Sequence, residues 1–184
     1  MITCKKCLIS TSNNFTPCMR SSNSGHILWI GEAPGVTENR LKVPFTGKAG
    51  LKLKEFTGYY NLDDFSVFTN VIRCQPPRNR DPYPDEIRNC RSFLLDDITT
   101  VKPKLIILLG RIASEVFIHK SIDILKPFIN KPIFIKDTVI LPIYHPSYII
   151  RNDLDHLYFD SFNIISDIYN TLNIYYRKRN FKKI

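Results

Sequence analysis

The chain is 184 residues long, 43% hydrophobic and 12% aromatic, with 26 Lys and Arg against 17 Asp and Glu for a formal charge of +9. That length suits one domain with a substantial buried core, and the lack of any apolar run of membrane-spanning length excludes helical membrane spans. The charge excess favours a polyanionic partner, nucleic acid or an anionic membrane surface. Part of it sits in the terminal run Arg177-Lys178-Arg179-Asn180-Phe181-Lys182-Lys183, which reads as a basic tail.

Met1 to Cys7 contains no apolar segment of secretory type, so an intracellular location is expected. There, cysteines are free or metal-bound more often than disulfide-paired. Residues 1–26 are polar and loop-like. The apolar stretch from His26 to Ile30 reads as a first strand, stopped by Gly31-Glu32-Ala33-Pro34-Gly35. A second loop, Val43-Pro44-Phe45-Thr46-Gly47, follows. So many breakers predict a shaped loop that carries two carboxylates, Glu32 and Glu38, and one aromatic, Phe45.

Residues 49–60 read as a helix with Leu51, Leu53 and Phe56 partly inward. Residues 65–69 read as a second strand ending at Asn70, before the loop Cys74-Gln75-Pro76-Pro77-Arg78-Asn79-Arg80-Asp81-Pro82. Pro84-Asp85-Glu86 opens a helix in the favoured way and predicts burial of Ile87, Phe93, Leu94 and Ile98. The run Leu105-Ile106-Ile107-Leu108-Leu109 is typical of a strand covered on both faces, and Arg111 to Ile118 reads as helix. Ile133-Phe134-Ile135 and Val139-Ile140-Leu141 read as further strands around an Asp137-Thr138 turn. Pro142-Ile143-Tyr144-His145-Pro146-Ser147 closes the series, and residues 154–176 form a long last helix. Strand and helix alternate, which predicts a three-layer α/β fold with a mainly parallel sheet. In such sheets ligands bind beyond the carboxyl ends of the strands, so loops 31–35, 70–77 and 145–147 should share one edge.

Two sets of residues carry chemistry. Cys4-x-x-Cys7 and the separated Cys74 and Cys90 offer four thiolates in two pairs, with Cys18 left over. Zinc and an iron–sulfur cluster both accept four cysteines, and spacing does not separate them; buried apolar cysteines are the plain alternative. The polar set is Glu32, Glu38, Phe45, Asn70 and His145, each at or after a predicted strand end. Together they supply a stacking surface, an amide able to pair with a base edge, an imidazole and carboxylates, a set suited to a flipped-out base. Arg73, Arg78, Arg80, Lys42, Lys48 and Arg151 are positioned in the sequence to meet phosphates around such a pocket.

The segments Gly31-Glu32-Ala33-Pro34-Gly35-x-x-Glu38, Pro44-Phe45-x-Gly47-x-Ala49-Gly50, Asn70-Val71-x-x-Cys74-x-Pro76-Pro77-x-Asn79-Arg80 and His145-Pro146-Ser147-Tyr148-x-x-Arg151 follow in order. With Pro103-Lys104-Leu105-Ile106-Ile107-Leu108-Leu109-Gly110-x-x-Ala113 and the cysteines, they resemble the family 4 uracil-DNA glycosylases, the iron–sulfur members of their superfamily. The resemblance implies an α/β/α sandwich around a four-stranded sheet. It implies hydrolysis of the N-glycosidic bond of deoxyuridine in DNA, giving free uracil and an abasic site in base excision repair. By the same resemblance, Cys4, Cys7, Cys74 and Cys90 hold a four-iron four-sulfur cluster, with zinc as the alternative. Phe45 stacks on uracil beside Gly31, Asn70 pairs with N3–H and O4, and His145 stabilises charge at O2. Glu38, and Glu32 beside it, position the water. Ser147, with Tyr148-Ile149-Ile150-Arg151, enters the minor groove, and Arg78 and Arg80 face DNA. The expected partner is uracil-containing DNA, with no membrane and a monomeric chain.

Two positions depart from the family pattern. Asn39 stands where an acid is usual, and Lys42 where a glycine normally precedes Val-Pro-Phe. They motivate an alternative reading, a catalytically weak glycosylase-like module that grips DNA or a replication partner. The chain also lacks the basic, histidine-bearing insertion of the branch that cross-links to its product, so turnover is expected.

Overall fold

The computed structural model describes residues 4–11, 19–22, 25–118 and 126–181, with side chains described to residue 173 in the last segment. Cys18 lies outside these residues, as do the side chains of the basic tail. In chain order the elements are α1 (Leu8–Thr11), β1 (Ile27–Gly31), α2 (Val36–Leu41), α3 (Lys48–Tyr59), β2 (Ser66–Asn70), α4 (Pro84–Val101), β3 (Leu105–Leu109), α5 (Gly110–Ile118), β4 (Ile133–Ile135), β5 (Thr138–Ile143), α6 (Pro146–Asn152) and α7 (Asp155–Phe181). No described helix is long and apolar enough to cross a membrane.

The sheet order is β2-β1-β3-β5-β4, parallel throughout except for β4, which runs antiparallel to β5. The resemblance implied four strands. There are five, because the turn after Ile135 is tight enough to fold β4 back as a short edge strand against Val139 and Ile140.

Strand residues alternate between two cores. Trp29, Leu105, Ile107, Leu141 and Ile143 pack with Leu53 and Phe56 of α3 and with Tyr158, Phe162 and Ile165 of α7. Leu28, Ile30, Val67, Ile106, Leu108 and Ile140 pack with Leu94 and Val101 of α4 and Ala113 of α5. Helices therefore cover both faces, the three-layer arrangement that the continuous apolar runs of β1 and β3 require. Leu53 and Phe56 turn inward as expected, but Leu51 is 61% exposed. On α4, Leu94 is buried and Ile87, Phe93 and Ile98 are half-buried.

Two short helices sit in what the sequence marks as loops. In α2, Gly35 is the extended N-cap and its N–H donates to the Glu38 carboxylate at 3.2 Å. The helix stops at Lys42, which adopts the left-handed conformation with φ 59°. A lysine there is strained relative to glycine by about 1 kcal/mol. Lys42→Gly is therefore expected to stabilise the fold by about that amount, read as a higher midpoint in chemical denaturation. The other short helix, α6, begins at Pro146 with His145 as its N-cap.

Candidate active site

The sheet's register builds the site. Gly31 at the end of β1 is paired with Asn70 at the end of β2. The pairing continues past the strands, with Val71 N–H donating to Gly31 O at 2.8 Å and Ile72 N–H to Glu32 O at 3.1 Å. On the other side, β3 ends at Gly110, whose φ is +84°. A Cβ there would lie 2.9 Å from His145 Cβ, so glycine lets the end of β5 close in. Beyond these ends lies a cavity of about 770 Å³, lined by Glu32, Glu38, Phe45, Asn70 and His145 among others. The three strand-end loops thus meet at one edge.

Phe45 and Asn70 form one wall. Phe45 is 5% exposed and its ring packs 5.6 Å from that of Phe68. Its backbone has φ 55°, a costly conformation for a bulky residue that persists where surrounding structure enforces it. Part of that enforcement is Gly50 of α3, where a Cβ would sit 2.1 Å from the Phe45 carbonyl carbon. Asn70 is 3% exposed, and its side-chain amide finds no hydrogen-bond partner among the described residues. Gly31 lies between the two: an added Cβ would be 2.6 Å from Asn70 Oδ1 and 2.7 Å from Phe45 Cζ. Any side chain there would obstruct the space between ring and amide.

The two carboxylates have different surroundings. Glu38 Oε1 accepts from the N–H groups of Thr46 at 3.0 Å and Gly47 at 2.7 Å, and Oε2 from Gly35. It is a clamp between the two loops. Glu32 is half-buried on the cavity wall, and its carboxylate accepts no hydrogen bond among the described residues. Desolvation pushes its carboxyl up to about 7, Asp81 adding to the shift and Arg111 opposing it. Asp81 and Arg111 pair with each other at the cavity rim, joining the proline loop to the start of α5. Neither residue was marked by the sequence, because surface acids and arginines carry no periodic signal.

His145 is fixed by the helix it caps. Ser147 N–H donates to His145 Nδ1 at 3.2 Å, and Ser147 Oγ lies 2.8 Å from the same nitrogen. A backbone N–H can only donate, so Nδ1 is the acceptor and the ring hydrogen sits on Nε2. Desolvation, with Arg151 as the lesser cause, pulls the imidazole down to about 4. The ring is therefore a neutral N–H donor at physiological pH. Tyr158 of α7, fully buried, donates its O–H to Tyr144 O at 3.1 Å and tethers the strand end carrying His145.

Residues 21–172 match the uracil DNA glycosylase superfamily. The chain belongs to that superfamily. The type-4 uracil-DNA glycosylase of Archaeoglobus fulgidus is 32% identical over 179 residues, 91% of this chain and 89% of that one. The corresponding type-4 protein of Thermotoga maritima is 35% identical over 71% of this chain and 69% of its own. That of Sulfurisphaera tokodaii is 32% identical over 83% and 73%.

In this member of the superfamily, the basic residues around the cavity differ in availability. Arg151, exposed at the end of α6, reaches the cavity and has no ion-pair partner among the described residues. Arg80 also lines it, but its guanidinium is held by Glu86 at 2.8 and 2.6 Å and lies 3.6 Å over the Tyr83 ring. Arg78 is exposed in the proline loop with φ 57°. On α6, Tyr148 and Ile150 are exposed while Ile149 is fully buried in the core. Ile149 is thus no part of the surface that the sequence assigned to the groove.

The four cysteines Cys4, Cys7, Cys74 and Cys90 are not disulfide-bonded and line one small cavity with Arg73 and Phe93. Burial pushes the Cys74 thiol up to about 12, with the sulfurs of Cys90, Cys7 and Cys4 adding to it. Among the described residues, no three His, Cys, Asp or Glu side chains are grouped to hold a single metal ion.

Proposed function

We propose that the chain is a monofunctional uracil-DNA glycosylase of the type-4 kind, hydrolysing the N-glycosidic bond of deoxyuridine in DNA to free uracil and an abasic site. The observation that carries this reading is the unpartnered Asn70 amide, the enforced Phe45 ring and the neutral Nε2–H of His145 around one cavity. Uracil in a flipped nucleotide stacks on Phe45 and pairs its N3–H and O4 with Asn70. Cytosine presents a donor in place of O4 and leaves the amide mismatched, at a cost on the order of 1–3 kcal/mol. As the glycosidic bond breaks, negative charge grows on the base and positive charge on the sugar. His145 Nε2–H donates to O2 and stabilises the departing anion. Glu32, as a carboxylate, orients the attacking water, and Glu38 holds the Phe45 loop in place.

Cys4, Cys7, Cys74 and Cys90 hold a four-iron four-sulfur cluster in this reading. The donor set is four cysteines outside any disulfide, lining a cavity of their own. Four cysteines suit zinc or a cluster alike by donor type, and the resemblance to the family 4 glycosylases, the iron–sulfur members of their superfamily, favours the cluster. A cluster bound there would tie the N-terminal segment to the start of the proline loop through Cys74 and to α4 through Cys90.

Asn39 and Lys42, the two departures from the family pattern, support activity more than the binding-module reading. Lys42 Nζ donates to Asn39 Oδ1 at 3.0 Å, and neither residue lines the cavity. Release of uracil from a uracil-containing oligonucleotide tests the function. Cluster-loaded, folded protein that leaves this oligonucleotide uncut would refute it.

Arg151, which has no ion-pair partner among the described residues, is assigned to a DNA phosphate. Arg151→Gln is expected to weaken binding alike for uracil-containing and normal DNA. Its salt slope should fall by about 1, measured by fluorescence anisotropy across a salt series.

A further inference from the structure

Arg73, the residue before Cys74, is 1% exposed and forms part of the wall of the cysteine cavity. Its Nη1 donates to Thr69 Oγ1 and its Nη2 to Asp97 Oδ2, while its Nε is buried with no partner among the described residues. Buried N–H groups are almost always paired, so an orphan beside a ligand cavity points to an acceptor that the ligand brings.

Charge around the cavity points the same way. The buried Asp97 receives both Arg73 and Arg20, whose other carboxylate partner, Asp96, is 61% exposed. Arg73 is thus a buried cation on the wall of the cysteine cavity, sharing its carboxylate partner with Arg20. A cluster ligated by four thiolates carries negative charge, and its reduction potential depends on net charge and on hydrogen bonds to its sulfurs.

We propose that Arg73 donates its Nε–H to a sulfur of the cluster held by Cys4, Cys7, Cys74 and Cys90 and thereby raises the cluster's reduction potential. This rests on the cluster reading above. Reduction adds negative charge at the sulfurs, so a cationic donor there favours the reduced state. The same side chain reaches the pocket: Thr69 accepts from Arg73, donates to Asp97 Oδ2 at 2.6 Å and precedes Asn70. Arg73 therefore joins the cluster to the strand end that presents the pocket amide.

The test is voltammetry on anaerobically purified holoprotein. Arg73→Lys keeps the charge and removes Nε; Arg73→Met removes both. Both variants, with iron and sulfide contents matching the wild type, are expected to show more negative potentials, Met more than Lys. Wild-type potentials in fully loaded variants would overturn the proposal. Should the variants not load, electron–nuclear double resonance on the reduced wild-type cluster, with arginine 15N-labelled in the guanidinium only, replaces them. A coupled arginine nitrogen supports the assignment, and its absence refutes it. Colourless protein with stoichiometric zinc would instead remove the cluster reading, and this proposal with it.

Discussion

Replacing His145 with alanine is expected to lower the single-turnover rate of uracil release by about 10²- to 10³-fold, the usual cost of one donor aimed at developing negative charge. Nε2–H is the hydrogen available to the base, because Ser147 N–H occupies Nδ1. The imidazole titrates near 4, so it is neutral from pH 6 upward and its role should not vary with pH there. His145→Ala should therefore lower the rate by a similar factor at pH 6 and pH 9. A loss confined to acid pH would indicate an imidazolium and contradict this assignment. Stability follows the same burial. The unfolded histidine titrates near 6.5 and the folded one near 4. Its contribution is thus present above 6.5 and is lost as the pH falls through 4. Visible absorbance of the variant confirms that loading is unchanged.

Much of the architecture was legible because the signals were local. Continuous apolar runs marked β1 and β3, and Pro84-Asp85-Glu86 marked the start of α4, where Glu86 accepts the Tyr83 N–H at 2.7 Å. Strand ends placed Asn70 and His145 at one edge, since a parallel sheet carries its C-terminal loops together. The short helices α2 and α6 were not legible: the first is 6 residues long and the second 7, too short to show a period among glycines and prolines. Leu51 looked inward because it is apolar, yet it lies on the solvent side of α3. The Arg73–Asp97 pair was invisible for the opposite reason. Charged residues read as surface until the fold shows them sharing the interior.

Glu38 shows how tertiary structure reassigns a residue that sequence can only nominate. The family resemblance made Glu38 the first candidate for the water, with Glu32 second. In the fold, three backbone N–H groups engage its oxygens, two of them from Thr46 and Gly47, 8 and 9 residues further on. Glu38→Gln is expected to raise KM by loosening the loop that carries Phe45. Steady-state kinetics separates that effect from a loss in kcat.

Glu32→Gln should have the second large effect, lowering kcat/KM at pH 8 by about 10²-fold or more, the contribution typical of a positioned general base. The carboxylate has no partner among the described residues, and burial holds its titration at about 7. Only the ionised form draws the water toward the sugar, so wild-type activity should rise through pH 7 and level off above it. Below that point it should fall about tenfold per pH unit. The Gln variant cannot ionise, so its profile should stay low and flat across this range. A pH limb near 7 that survives in Glu32→Gln would assign the titration to another group. The opposite sign applies to stability. Raising an acid's titration point above its unfolded value near 4.5 means that the folded state disfavours the charge. Relative stability is therefore lost as the pH rises through 7, and Glu32→Gln removes that loss. At pH 8 the variant should be the more stable protein and the poorer catalyst, a pairing that simple misfolding would not produce.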